Sequence, residues 1–178
     1  LGLERFTQIN DMYGRQVGDA VLVQVAEFLR QHVRGSDVVS HSDDSREGGG
    51  GATHGAVAND TLVARLGGSR FLLVLPDTDE AGARIVADKL LAGLVHLDLA
   101  VQDEPLRVGG RVGIVCHPAH GANAEELVSC AEIALRQAQE HPLDTVVAFN
   151  AELREQETRT HYWLQRLHAA IEERRLVL

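Results

Sequence analysis

Cys116, His117 and His120 form a Cys-His-x-x-His cluster, built from side-chain types that hold transition metals. Cys130 is the other cysteine of the chain, and two cysteines without paired spacing make neither a disulfide framework nor a structural zinc site. The cluster therefore reads as a strand-end core cysteine followed by loop histidines. Asp43, Asp44 and Glu47 could also gather a cation. They stand beside Gly48 to Gly51 in a stretch, Ser40 to Asn59, that has no apolar periodicity, and they read as solvated charges on a flexible insertion. Arg34-Gly35-Ser36-Asp37 places a cation and an anion across a short polar segment, which is equally well a helix-terminal Arg followed by a turn. Arg70, after Gly67-Gly68-Ser69, carries a guanidinium of the kind that grips phosphate oxygens in a bidentate way.

Hydrophobic periodicity indicates which elements must position these groups. Val21, Leu22, Val25, Phe28, Leu29 and Val33 recur at helical spacing, predicting a helix over Ala20 to Val33 with Asp19 as its N-cap. Leu62 to Leu66 and Phe71 to Leu75 are β-prone runs joined by a glycine-led turn, a hairpin. A helix over Glu80 to His96, a strand over Arg107 to Val115, a helix over Ala124 to Glu140 and a strand over Thr145 to Phe149 follow. This order fits an α+β sandwich with a split βαβ core, in which a central, mostly antiparallel sheet is flanked by helices. The opening central strand is expected to be missing from the chain. Residues 1–150 are read as the domain, with the insertion at 40–59. Residues 151–178 are read as a charged helical connector, striped by Leu153, Trp163, Leu164, Leu167 and Ile171 and followed by Leu176, Val177 and Leu178.

Composition narrows the function classes. There are 17 Lys and Arg against 26 Asp and Glu, a formal charge of −9, which argues against a surface that tracks a nucleic-acid backbone. No apolar run approaches the length of a membrane span. The sparse cysteines fit a reducing, cytoplasmic setting, and the start at Leu1 suggests a piece of a longer protein.

Arg5-Phe6-Thr7-Gln8-Ile9-Asn10-Asp11-Met12-Tyr13-Gly14, with Gly18-Asp19 beyond it, resembles the opening motif of GGDEF domains, which make cyclic di-GMP from two GTP molecules. Ala64 to Pro76 stands where that family carries its name-giving hairpin, and Gly113-Ile114 through Ala131-Glu132 resembles its later strand and helix. The resemblance implies a nucleotidyl cyclase-like fold and assigns roles by position. One metal-binding Asp would stand at Gly2 and the other metal acid at Ser69. An acid that supports the transition state would stand at Arg70, and a phosphate-contacting Lys at Thr7. Ser129 and Gln139 replace basic residues that contact phosphate. Glu4 is the acid left near the metal position, and its side chain is expected on the face of the strand opposite to Gly2. Asn10 and Asp19 keep the family positions that satisfy the N1–H and N2–H₂ donors of guanine. Gly67, Gly68 and Arg70 complete the expected nucleotide-binding set. Arg34 and Asp37 match the RxxD inhibitory site that holds cyclic di-GMP.

The resemblance thus implies a catalytically inactive GGDEF-like domain in cyclic di-GMP signalling. No cofactor is expected beyond Mg²⁺ accompanying bound GTP. Trp163 to Leu178 resembles the lead-in of an EAL phosphodiesterase domain. The implied partners are GTP or cyclic di-GMP, that attached EAL domain and a second copy of the chain. A weak diguanylate cyclase and a cyclic di-GMP receptor using the RxxD remnant remain as alternatives. Because loop-closure entropy varies slowly with length, excising Ser40 to Asn59 is expected to change stability by about 1 kcal/mol or less. A large fall in melting temperature of the spliced chain would show instead that the segment packs.

Overall fold

Six apolar residues of one helix, Val21, Leu22, Val25, Phe28, Leu29 and Val33, are all buried, so the helical period read from the sequence is the period that folds. The computed structural model describes residues 1–34, 61–97, 99–101, 104–141 and 143–172. Chain order is β1 (Gly2–Leu3), α1 (Phe6–Tyr13), α2 (Arg15–Arg34), β2 (Leu62–Gly67), β3 (Arg70–Val74), α3 (Glu80–Val95), β4 (Leu99–Val101), β5 (Glu104–Leu106), β6 (Gly110–Ile114), α4 (Ala124–Glu140), β7 (Val146–Ala148) and α5 (Ala151–Glu172). Five strands form one sheet in the order β2-β3-β1-β6-β7, and β4 and β5 form a separate ribbon. Every pairing in the sheet is antiparallel except β6 with β7. The fold is the expected α+β class, with helices flanking a mostly antiparallel sheet.

The chain divides into two compact units, Leu1–Arg111 and Val112–Leu178. In the first, the core gathers the apolar face of α2, Val86, Ala87, Leu90 and Leu94 of α3, and Leu3 and Phe71 of the sheet. In the second, Cys130 and Ala134 of α4 pack with Phe149, against Val115, Ile133 and Val147. Helix starts are fixed by local chemistry. Asp79 Oδ1 accepts the Gly82 N–H at 2.7 Å, and Asn123 Oδ1 accepts the Glu126 N–H at 2.9 Å, each satisfying a donor left over at a helix N-terminus.

Two sequence expectations are corrected, and two strands are found where none was expected. The opening strand is present. Gly2–Leu3 pairs with β3 on one side and β6 on the other, at the centre of the sheet. Two residues are too few to show an alternating pattern. Asp19 is not an N-cap, because α2 begins at Arg15 and passes through it. The break lies at Gly14 instead (φ 84°), whose N–H bonds Asn10 O at 2.9 Å before the chain re-enters a helix at once. Finally, β4 and β5 occupy a stretch that shows no strand periodicity, with Glu104 and Pro105 in the second strand. The insertion Ser40 to Asn59 and the tail Leu176 to Leu178 lie outside the described residues.

Candidate functional site

The candidate site is built around Gly2, because β1 is the central strand of the five. Its Cα partner on β3 is Arg70 and its partner on β6 is Arg111. Directly opposed residues of antiparallel strands carry their side chains on one face of the sheet. Two arginines therefore flank a residue that has no side chain. The ladder continues with Phe71 N–H to Leu1 O at 2.8 Å and Leu3 N–H to Ser69 O at 3.0 Å. As β1 runs antiparallel to β3, its exit through Glu4 and Arg5 lies at the end where β3 begins, beside the hairpin turn.

That turn needs its glycines. Gly67 and Gly68 have φ of 124° and 55°, backbone states that a Cβ disfavours. Arg65 Nε donates to Gly68 O at 3.0 Å, which lays a third guanidinium over the turn. Ser69 is partly buried and Arg70 is exposed.

Glu4 does not point away from Gly2. It accepts from Arg111 Nε at 2.6 Å, and the Arg111 side chain is only 12% exposed. Residues two apart on an extended chain return to the same face, so the carboxylate meets the arginine that opposes Gly2. The row therefore holds Arg70, Arg111 and one carboxylate already engaged by Arg111. A divalent cation requires hard oxygen ligands with negative charge, and this donor set does not fit one. Among the described residues, no group of three or more His, Cys, Asp and Glu side chains gathers to hold a metal ion.

Asn10 and Asp19 sit on the paired helices α1 and α2. A Cβ on residue 18 would overlap Asn10 Oδ1 and lie 3.2 Å from Phe6 Cζ, so buried Gly18 is what lets the Asn10 amide rest against α2 one residue before Asp19. Asp19 is exposed and Asn10 half-buried. Thr7 is exposed near the start of α1. Arg34 ends α2, and Asp37 lies outside the described residues.

The Cys116 loop is occupied with its own structure. The Cys116 N–H donates to His120 Nδ1 at 3.0 Å, which requires that nitrogen to be unprotonated, and Cys130 Sγ donates to His120 O at 3.2 Å. The His120 ring meets Phe149 edge-on, with centroids 5.4 Å apart. His120 thus works as a loop brace, and His117 is exposed beside it.

A glycine-led hairpin, a central strand entering a helix pair, and the α+β order around them coincide with a family match. The model described as "Diguanylate cyclase, GGDEF domain" covers residues 1–46 and 53–144. The chain belongs to the GGDEF family. Among curated relatives of this GGDEF domain, the bifunctional diguanylate cyclase/cyclic di-GMP phosphodiesterase MucR of Pseudomonas aeruginosa is 26% identical over 100% of the chain, which spans 22% of that protein. The cyclic di-GMP phosphodiesterase NbdA of the same organism is also 26% identical over 100% of the chain, which spans 20% of it. The biofilm architecture maintenance protein MbaA of Vibrio cholerae is 32% identical over 78% of the chain and 15% of its own length. The GGDEF domain is thus about a fifth of the length of the relatives it matches from end to end. The crystal structure of the GGDEF domain of TpbB from Pseudomonas aeruginosa superposes with a TM-score of 0.64 at 25% identity, over 84% of this chain and 78% of that one. No helix among the described residues is long and apolar enough to cross a membrane.

Arg111 is the residue that sequence reasoning missed. It lies within the run Arg107 to Val115 that reads as a strand, but only the register of β1 against β6 reveals that it opposes Gly2.

Proposed function

We propose that this GGDEF domain is catalytically inactive and serves as a regulatory or scaffolding module in cyclic di-GMP signalling, for an EAL phosphodiesterase attached beyond α5. The observation that carries this reading is the register at Gly2. The positions that the family uses for metal carboxylates hold Gly2 and Ser69, the next acid position holds Arg70, and Arg70 and Arg111 flank Gly2. Attack of a 3′-hydroxyl on an α-phosphorus needs charge neutralisation on the triphosphate and a group to take the proton. Arginine does not serve as the base, since it stays protonated. Losing metal-borne stabilisation worth several kcal/mol slows the reaction by about 10³-fold or more.

Guanine recognition is separable from that loss. Asn10, seated against Gly18, and Asp19, on the next residue of α2, can still satisfy the guanine edge. The reading therefore includes binding of GTP without turnover. The attached phosphodiesterase is supported by the alignments with MucR and NbdA, which run through α5 although the family match ends at residue 144.

Incubation with GTP and Mg²⁺ followed by chromatography is expected to give no cyclic di-GMP above a no-protein control. Accumulating product would establish the weak cyclase instead. Calorimetric titration with cyclic di-GMP separates the receptor alternative: saturable binding that Arg34→Ala abolishes would favour it.

A further inference from the structure

Half-buried His120 stands where several elements of the Val112–Leu178 unit meet, and its bonds hold in one protonation state. The Cys116 N–H donates to its Nδ1 at 3.0 Å, and the His120 N–H donates back to Cys116 O at 2.9 Å, which closes the loop between β6 and α4. A ring nitrogen accepts a hydrogen bond only through a free lone pair, so the neutral ring carries its proton on Nε2. A second proton would turn Nδ1 into a donor facing the Cys116 donor. His120 O accepts from Cys130 Sγ at 3.2 Å, and the ring meets Phe149 edge-on, with centroids 5.4 Å apart. The same thiol and the same aromatic ring hold α5. Arg154 Nη2 donates to Cys130 Sγ at 2.7 Å, and its guanidinium stands 5.3 Å from the centre of the Phe149 ring. An imidazolium at Phe149 would therefore meet the guanidinium that shares that ring as a like charge. The remaining titratable groups of this neighbourhood are exposed His117 of the same loop and Glu126 of α4, whose carboxylate accepts from the Ala122 N–H at 2.8 Å.

We propose that His120 is a proton-operated latch for α5. The neutral ring holds the loop, Cys130 and Phe149 in the arrangement that docks Arg154, and protonation releases the first turns of α5 from α4. The sign follows from the bonds. The Cys116 contact belongs to the neutral ring, so the latch is closed at high pH and opens on acidification, across the interval of about pH 8 to 5 in which histidine side chains change charge. Partial exposure gives the ring access to protons from solvent.

The test is hydrogen–deuterium exchange of the whole chain from about pH 8 to about pH 5.5, with rates expressed as protection factors so that the pH dependence of free-chain exchange divides out. Protection across residues 151–160 is expected to fall about 10-fold or more over this range, while protection across α2 stays level. In His120→Asn the side-chain Oδ1 takes the place of Nδ1 and accepts at every pH, so protection of α5 should no longer depend on pH. His117→Gln, on the exposed neighbour, should keep the fall seen in the parent. Nitrogen NMR shifts of His120 in the parent should report a neutral ring protonated on Nε2 at the upper end and an imidazolium at the lower, with the same midpoint as the loss of α5 protection. That titration needs no variant and gives the answer if His120→Asn fails to fold. Protection that stays level in the parent, falls equally in His120→Asn, falls in α2 together with α5, or falls while the His120 ring stays neutral would each overturn the inference. So would a fall that His117→Gln abolishes.

Discussion

Replacing Gly113 by valine is expected to abolish cooperative folding of the Val112–Leu178 unit, and replacement by alanine to weaken it severely. A Cβ at this position would lie 2.5 Å from Leu135 N, 2.6 Å from Ala131 O and 3.0 Å from Ala134 C, all of them backbone atoms of α4. No side chain can rotate out of the way. The strand cannot retreat either, because Gly113 is locked in register with Val147 of β7, and the Phe149 N–H donates to Ile114 O at 2.9 Å. Overpacking against rigid backbone costs about 3 kcal/mol or more for alanine. At about 2–4 °C per kcal/mol for a chain of this size, the alanine variant should melt about 6–12 °C lower. A thermal melt within about 2 °C of the parent would show that the β6–α4 approach is looser than described.

Ending the chain after Asn150 is expected to cost about 2–4 kcal/mol, whereas ending it after Thr160 should cost less than about 1. The difference comes from the first turns of α5. The Leu153 side chain is buried, and Arg154 Nη2 donates to Cys130 Sγ at 2.7 Å while its guanidinium stands 5.3 Å from the centre of the Phe149 ring. Glu157 forms an ion pair with Arg136 of α4. Cutting at residue 150 would uncover Cys130 and Phe149, which are 0% and 6% exposed, and would remove the Leu153 N–H to Asn150 Oδ1 cap at 3.0 Å. Beyond Thr160 the exposed Tyr162, Trp163 and Ile171 contribute little to this unit. Denaturant unfolding of the two truncations checks the claim. Equal loss in both would show that the docked turns carry no stability.

The legible part of the fold was the part set by local chemistry. Helix α4 is read from the sequence with its actual ends, Ala124 and Glu140, because the apolar stripe through Cys130, Ala134 and Ala138 is regular and a polar residue, Asn123, precedes it. The start of α2 is misplaced in the sequence reading because Asp19 is of a residue type that caps helices, whereas here it lies inside one. Of Gly14 and Gly18, only one breaks the helix: Gly14 turns the chain at φ 84°, while Gly18 stays helical to make room for Asn10. At the candidate site, the glycine turn and the residue types at Gly2, Ser69 and Arg70 are visible in the sequence. The Glu4–Arg111 pair was not, since it joins residues 107 apart and depends on strand register. The expected direction of Glu4 failed for a different reason: residues two apart on a strand share a face, so the period of two by itself places Glu4 with Gly2.

The docking of Arg154 and Glu157 onto α4 also has a mechanical side. Helix α5 runs for 22 residues, or about 33 Å at about 1.5 Å per residue, and is held at its first two turns. Such a rod is a lever with its fulcrum at Phe149. A tilt of about 5° at the fulcrum swings the far tip through about 3 Å, more than the rise of one helical residue. A shift of α4 too small to disturb its own packing is thereby magnified at the end of the rod.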